Sequence, residues 1–358
     1  MPLLESDGRG LWCAAGGFHV DAWEPVPLAV VTHAHADHAR PGCGAYVCTE
    51  ETAAILRRRF GDEGEAAELR VVGYGDRFQL GGVTVSLHPA GHVLGSAQVR
   101  IEAGGEVWVV TGDYKREADP TCAPFEVQRC DVLVTEATFA LPIYRWPEPE
   151  SAVRELVSFW DDAREKDKPA IVLCWSLGKA QRILAELARL GIDRPVHAHG
   201  SILGLTEIYR AHGIAMPELR SATEASKKEL AGALVLAPPS ARGTTWIRRF
   251  TGARFGFASG WMRVRGDRRR RAIDRGFVLS DHADWPSLLR TVDESGARRV
   301  LVTHGFSEPL ARYLRETRGL DASTLITRYE GENGAAPDEA LSVEASTVEA
   351  SAVEPAVG

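Results

Sequence analysis

The chain has 358 residues and a formal net charge of −7, with 44% of its residues hydrophobic and 25% charged. That length holds two domains with sizeable cores, and the composition is that of an ordinary globular protein rather than a fibrous or low-complexity one. No apolar run approaches the roughly 18 residues of a membrane span, and Met1-Pro2-Leu3-Leu4-Glu5 lacks the basic start of a secretory leader, so a cytoplasmic protein without a membrane partner is expected.

Six units of the negative charge lie in residues 331–358, which carry no Lys or Arg, so the rest of the chain is nearly neutral and free to form a local basic face. Cys13, Cys43, Cys48, Cys122, Cys130 and Cys174 lack the close pairing of a zinc knuckle or redox motif. They are expected to be free thiols in a reducing compartment.

In chain order, Gly16-Gly17-Phe18-His19-Val20-Asp21 ends an apolar segment on a carboxylate. Asp21 is placed either to orient an imidazole of the following loop or to cap a turn, and His19 reads as a packed strand residue. Leu28 to Val31 reads as the end of a buried strand that delivers Thr32-His33-Ala34-His35-Ala36-Asp37-His38. Three imidazoles and a carboxylate so close together form a ligand set that suits zinc and tolerates manganese or iron. Alternation places His33 and His35 on one side of the turn and lets Asp37 and His38 point to another. One loop can thereby serve two adjacent metals.

Thr49 to Phe60 has helical character, and Phe78–Leu80 with Val83–Leu87 reads as a hairpin around Gly81-Gly82. The hairpin runs on to His92, flanked by glycines that permit close backbone approach; His88 reads as structural. Val107–Val110 ends at Asp113 with Lys115 just beyond, and Val132–Val134 ends at Glu136. Four apolar strands thus each present His, Asp or Glu at the carboxyl end, where open sheets collect their ligands.

From about Leu141 the pattern becomes an alternation of helices and strands: a helix over Ser151–Lys166, a strand over Ala170–Cys174, a helix to Leu190 and a strand over Leu234–Ala237. His197 and His199 have no neighbouring carboxylate and read as a domain-edge or substrate-side feature. An arginine-rich stretch, residues 263–275, contains Arg268, Arg269, Arg270 and Arg271. Two more strand-plus-histidine units follow, ending at His282 and His304, then a helix over Pro309–Thr317 and a short strand near Leu325. The tail repeats Val-Glu-Ala-Ser, lacks aromatics and is expected to be disordered.

His33, His35, His38, His92, His282 and His304, with Asp21, Asp37, Asp113 and Glu136, all lie in or just after strand-end turns. This set resembles the metallo-β-lactamase superfamily, whose signature is His-x-His-x-Asp-His followed by a later His and a later Asp. Glu136, the Ser-Asp-His282 turn and the Thr-His304-Gly turn further resemble the three motifs of its β-CASP branch, the nucleic-acid-processing nucleases. The resemblance implies an α/β fold, a metallo-β-lactamase αββα sandwich with an inserted α/β β-CASP domain. Expected limits are residues 1–140 for the first part of the sandwich, 141–270 for the insertion, 271–330 for the return segment and 331–358 for the acidic tail.

More closely, the Gly-Gly-Phe-His-Val-Asp21, His33 to Gly42, Ser259-Gly-Trp-Met and Ser280-Asp-His-Ala-Asp-Trp285 segments look like those of bacterial ligase-associated DNA exonucleases, relatives of the Artemis-type repair nucleases. The resemblance implies two divalent metals, zinc or manganese. His33, His35 and His92 match ligands of one, Asp37, His38 and His304 ligands of the other, and Asp113 the bridging carboxylate. Two metals about 4 Å apart would activate a shared water for attack on a phosphodiester. His282, its ring oriented by Glu136, would protonate the departing oxygen. Lys115 and Arg268 to Arg271 are the candidate phosphate contacts.

The implied function is a DNA exonuclease in repair, with an ATP-dependent DNA ligase and a helicase as partners. A ribonuclease processing RNA ends is the alternative, because the RNA-processing members carry a histidine at the position of His304 and the Artemis type usually does not. A non-catalytic scaffold is a further reading, which the filled ligand positions argue against, and a small-molecule metallo-hydrolase is another. The inserted domain and the arginine run both argue against it.

Overall fold

The computed structural model describes residues 2–62, 67–264 and 273–327. The chain divides into two compact units, one made of Met1–Ala118, Cys122–Pro142 and the chain from His282 onward, the other of Asp119–Thr121 and Ile143–Asp281.

The first unit opens with β1 (Glu5–Ser6), β2 (Leu11–Cys13), β3 (Phe18–Val20), β4 (Leu28–Val30), β5 (Ala45–Cys48) and β6 (Glu68–Val71), hydrogen-bonded in that order into one sheet. Between β5 and β6 lies helix α1 (Glu50–Phe60). Thr49 caps it by accepting from Thr52 N, and the acids of its first turn and the arginines of its last suit the helix dipole.

β7 (Phe78–Leu80), β8 (Val83–Pro89), β9 (Ala97–Ala103) and β10 (Glu106–Val110) then pair antiparallel in sequence, and β11 (Val132–Glu136) joins β10 in parallel.

The second unit is a six-stranded sheet of β12 (Ala170–Leu173), β13 (Val196–Ala198), β14 (Leu219–Ser221), β15 (Leu234–Ala237), β16 (Arg254–Ala258) and β17 (Arg275–Phe277), ordered β14-β13-β15-β12-β16-β17. Every pairing in it is parallel. Helices α2 (Pro149–Arg164), α3 (Lys179–Arg189) and α4 (Gly200–Ala211) pack on the face presented by Ala170 and Val172. The opposite face, presented by Ile171 and Leu173, carries α5 (Lys227–Leu230) and short 3-10 turns at Trp246–Arg249 and Gly260–Arg263.

Back in the first unit, α6 (Trp285–Ser295), β18 (Arg299–Thr303), α7 (Ser307–Arg318) and β19 (Asp321–Thr324) follow. β18 lies parallel to β11 and β19 parallel to β18, giving a sheet ordered β19-β18-β11-β10-β9-β8-β7.

Period-two alternation assigns the faces. Val110 and Val134 turn inward with Val20, Val30 and Val47 of the first sheet, forming the core between the sheets. Val109 and Leu133 turn outward under Leu288 and Val292 of α6 and Leu310 and Leu314 of α7. On the far side, Tyr46 of β5 meets Phe60 of α1 with ring centroids 5.6 Å apart. Helix, sheet, sheet, helix is the αββα order expected, with an α/β unit inserted.

The limits of the insertion differ from those expected. The chain stays in the second unit to Asp281 rather than leaving it at 270, because β17 pairs with β16 and so belongs to the parallel sheet. Asp119–Thr121 also belongs to that unit. Among the described residues no helix is long and apolar enough to cross a membrane.

The second unit holds a buried ion network where the chain enters and leaves it. Arg182 is 2% exposed. It donates to Ser280 O and to Asp281 Oδ1 at 3.1 Å, and its Nε lies 3.2 Å from Asp119 Oδ2. Lys179 Nζ takes the other oxygen of Asp281 at 2.7 Å. Removing one member of such a network leaves uncompensated charge in a medium that solvates it poorly. Arg182→Met is therefore expected to destabilise the full chain by about 3–5 kcal/mol in denaturant unfolding. A loss under about 1 kcal/mol would mean that water reaches these carboxylates.

Candidate metal centre

Every side chain of the site belongs to the first unit, and strand direction explains the convergence. β10, β11 and β18 are mutually parallel, and β8 runs the same way because β9 is antiparallel to both β8 and β10. Their carboxyl ends therefore share one edge of the second sheet. These four strands lead to Asp113, Glu136, His304 and His92 respectively when taken as β10, β11, β18 and β8. β4 of the first sheet supplies the loop from Thr32 to His38.

Two of the three non-glycine residues with positive φ among the described residues are here, Asp21 at 47° and His304 at 57°. Gly112, at φ 56°, lets the backbone before Asp113 pass Thr32, since a Cβ there would lie 2.6 Å from Thr32 Oγ1.

Asp21 anchors the histidine loop. It accepts from Thr32 N at 2.8 Å, from Thr32 Oγ1 at 2.7 Å and from His38 Nδ1 at 2.7 Å. Because the Thr32 hydroxyl proton is spent on Asp21, the 3.0 Å contact between Thr32 Oγ1 and His33 Nδ1 assigns the His33 proton to Nδ1. The Nε2 lone pair of His33 then faces inward, and so does Nε2 of His38.

There His33 Nε2 lies 3.0 Å from His35 Nδ1, which lies 3.1 Å from His92 Nε2. Asp113 Oδ2 stands 3.7 Å from His33 Nε2, 3.8 Å from His92 Nε2, 3.4 Å from His38 Nε2 and 3.9 Å from His282 Nδ1. The donor atoms of His33, His35, His92 and Asp113 all fall within 4.8 Å of one another, as do those of Asp113, Glu136 and His282.

Burial and neighbouring charge set the protonation states. Burial, together with the imidazoles of His38, His92 and His35, holds His33 well below the usual histidine range, so it stays neutral. Burial also works to lower His38, but Asp113, Asp37 and Asp21 outweigh it and raise the ring well above that range. Burial opposes the charge on Asp113, yet His38, His282 and His33 hold its carboxyl well below the usual range. A cation competing for His38 Nε2 must displace a proton, so its uptake there weakens as pH falls.

The residues fit divalent cations. Three imidazole nitrogens and a carboxylate oxygen converge as a nitrogen-and-oxygen donor set of the kind zinc accepts. His38 Nε2 is buried without a hydrogen-bond partner while two carboxylates stand near it, Asp113 at 3.4 Å and Asp37 at 3.7 Å. His304 stacks on His38 with centroids 5.2 Å apart, and a cavity of about 20 Å³ is lined by Asp37, His38, Glu136 and His304. The Asp37 carboxylate, 3.7 Å from His38 Nε2, is 40% exposed.

His282 sits on the same carboxylates from the other side. Its Nδ1 is 3.0 and 3.2 Å from the two oxygens of Glu136, and Glu136 in turn accepts from Tyr114 N at 2.8 Å.

Other expectations change. Lys115 is fully buried, not displayed on the surface as a phosphate contact would be; it follows Tyr114 into the core and its backbone N–H is bound to Ala90 O. Arg268, Arg269, Arg270 and Arg271 lie outside the described residues, as does the acidic tail. His19 pairs with Asp7 at 2.9 Å, and His88 contacts Ser86 at 3.0 Å. His199 caps α4 by accepting from Ser201 N.

Sequence reasoning missed three supports: the Thr32 hydroxyl, the Tyr114 N–H on Glu136, and Ser96, whose hydroxyl accepts from His92 N at 3.0 Å. Their one legible signal was adjacency, each lying within four residues of a ligand-type side chain.

A two-sheet sandwich with helices outside and a histidine-rich centre at one sheet edge defines the metallo-β-lactamase superfamily. Relatives of this chain belong to the β-CASP branch of that superfamily. No family model matches it. It is 34% identical over 325 residues to a protein of Opitutus terrae named Probable DNA ligase, across 90% of this chain and 31% of that one. It is 27% identical over 216 residues to an RNase J-like protein of Methanocaldococcus jannaschii, across 52% of this chain and 50% of that one. This chain therefore spans half or less of the length of these two curated relatives. A solved structure of a protein of unknown function from Enterococcus faecalis V583 superposes with a TM-score of 0.54 at 15% identity, covering 85% of this chain and 80% of that one. This likeness concerns the fold alone.

Asp21→Ala removes the acceptor that fixes both Thr32 and the His38 tautomer. Zinc affinity, measured by competition titration of the metal-stripped protein, is expected to fall about 10–100-fold. Unchanged affinity would confine Asp21 to capping the turn.

Proposed function

We propose that this chain is a metal-dependent nuclease, a phosphodiesterase with a dinuclear site. The observation that carries the reading is the surrounding of Asp113 Oδ2, a buried carboxylate oxygen with ring nitrogens of four histidines within 3.9 Å. Such a carboxylate is placed to serve two cations at once. In this reading His33, His35 and His92 hold one, Asp37, His38 and His304 the other, and Asp113 both. Bound divalent cations, zinc or manganese, supply the activation of water and the neutralisation of charge that builds on a phosphodiester.

The chain's own groups do the rest. Asp21 and Thr32 fix which nitrogen of His38 and His33 carries the proton. Glu136 holds Nδ1 of His282, which leaves Nε2 as the nitrogen to present a proton to a departing sugar oxygen. Tyr114 N keeps Glu136 in place by satisfying one of its oxygens.

DNA is the favoured substrate, because the relative matched across 90% of this chain is named a probable DNA ligase. That name also supports exonuclease work in repair beside an ATP-dependent ligase, with a helicase as a further partner from the family resemblance. Ribonuclease activity on RNA ends is the second reading, favoured by the RNase J-like relative. DNA and RNA of one sequence, labelled at the 5′ or 3′ end and incubated with zinc or manganese, separate the two. Faster release of mononucleotides from DNA supports the first; preference for RNA supports the second; cleavage of neither overturns the nuclease reading.

Two variants test the roles. Asp113→Ala is expected to lower metal content at both positions, whereas full occupancy in that variant would contradict a shared ligand. His282→Ala is expected to keep its metals and lose roughly 10²–10⁴ in turnover, the range for removing a general acid. Metal content falling together with activity would make His282 a ligand instead.

A further inference from the structure

Helix α1 supplies none of the ligand-type side chains, yet each of its ends is bonded to a loop that does. At its start, Thr49 Oγ1 and Thr52 Oγ1 both donate to Gly95 O, at 2.7 and 3.0 Å. Gly95 follows His92-Val93-Leu94, in a turn that the Ser96 hydroxyl closes by accepting from His92 N and Val93 N. Helix and turn are in close contact, since a Cβ on Gly95, at φ 77°, would lie 2.6 Å from Thr52 N.

At its other end, Arg59 Nη1 donates to Ala34 O at 2.6 Å and to Ala39 O at 3.3 Å. These two carbonyls bracket the stretch that carries His35, Asp37 and His38. One guanidinium nitrogen thus ties both ends of the turn, by hydrogen bonds that its charge strengthens. Arg59 is half-buried against this loop, whereas Arg57 and Arg58 beside it are exposed, as arginines that only complement the helix dipole would be.

The helix between these ends is stiff and fixed in place. Thr49 caps it, Ile55 and Leu56 are fully buried, and Thr52 to Arg59 span about 10 Å along its axis. His33 and His35 come from the loop after β4 and His92 from the loop after β8, so their donor atoms meet only if two separately anchored loops keep their spacing. The backbone bond from Ala97 N to Thr32 O, 2.7 Å long, joins the loops at the strand ends, and α1 joins them a second way. A ligand loop about 1 Å out of place leaves a site that is present but loose.

We propose that α1 is a brace that sets the spacing of these two loops, with Arg59 as its positioning residue on the histidine loop and Thr52 as its counterpart on the His92 turn. The proposal rests on the reading that His33, His35 and His92 share one cation, and it gives α1 a part in that site beyond packing on the sheet.

The test measures zinc affinity of the full-length, metal-stripped protein by competition titration, at a temperature where circular dichroism shows every variant folded. Arg59→Met keeps the apolar stem and removes the donors, and is expected to weaken zinc binding about 10–100-fold, the range for partners that orient ligands. Arg59→Lys retains a charged donor and is expected to restore most of the affinity. Thr52→Val keeps the shape but takes one of two hydroxyls from Gly95 O, and is expected to cost about 2–10-fold, the worth of one neutral hydrogen bond.

If Arg59→Met lowers the thermal midpoint while the folded protein binds zinc as before, Arg59 is a loop anchor alone and the brace is overturned. A loss of affinity in Arg59→Met with none in Thr52→Val also overturns it, because the effect would then stop at the histidine loop. Wild-type protein that takes up no zinc overturns the metal reading and the brace together. Zinc affinities that respond as expected in a protein that cleaves neither DNA nor RNA overturn the nuclease reading and leave the brace standing.

Discussion

The first unit depends on keeping one carboxylate charged out of water. Asp113 is 6% exposed, and burying an ionised carboxylate without compensation costs several kcal/mol. Here compensation comes from imidazoles delivered by separate elements: His33 and His38 from the loop after β4, His92 after β8 and His282 before α6. The first of these lies beyond a strand of one sheet and Asp113 beyond a strand of the other. A sandwich is therefore required; a single sheet would supply only part of the set.

Two adjacent histidines show how the second neighbour decides the first. His33 and His38 have ring centroids 4.1 Å apart and share Asp113, yet the environment pushes one down and the other up. Both are fully buried, so burial alone does not separate them. At Nδ1, His33 meets the hydroxyl of Thr32, whereas His38 meets the carboxylate of Asp21. Asp37 adds a further negative charge 3.7 Å from His38 Nε2. His33 is thereby a ready neutral donor, and His38 a donor whose availability depends on pH.

Much of this was legible because the fold writes its site in strand ends. Val30-Val31, Val109-Val110, Val132–Val134 and Val300–Val302 are valine-rich apolar runs buried on both faces, and such runs announce interior strands. The polar residue that follows each run is then conspicuous. β9 was harder to see: Gln98, Arg100 and Glu102 interrupt Val99 and Ile101, and the polar positions find partners one at a time, such as Arg100 on Glu102 at 2.9 Å. The outer limit of the insertion was illegible for a different reason. Phe277 and Leu279 read as the approach to an active-site strand, but they pack into the core under α2 and α3, and only pairing with β16 shows to which sheet they belong. Lys115, two residues past Asp113, reads locally as a candidate phosphate contact, whereas its burial is a tertiary property with no local signature.

The positive φ angles at Asp21 and His304 connect the two halves of the site to the backbone. A left-handed conformation costs a residue with a Cβ roughly 1–2 kcal/mol, so each position must be held by contacts that outweigh it. At Asp21 three hydrogen bonds to one carboxylate do so. At His304 the hold is steric. Gly305 follows at φ 61°, where a Cβ would lie 2.5 Å from Ala137 O, and Phe306 N donates to that same oxygen at 2.8 Å. Ala137 directly follows Glu136, the partner of His282. The turn that presents His304 is thus built against the turn that presents Glu136, and neither can shift without moving the other. A substitution at Gly305 would consequently act on His282 through Glu136 as well as on His304, although the glycine has no side chain of its own to offer.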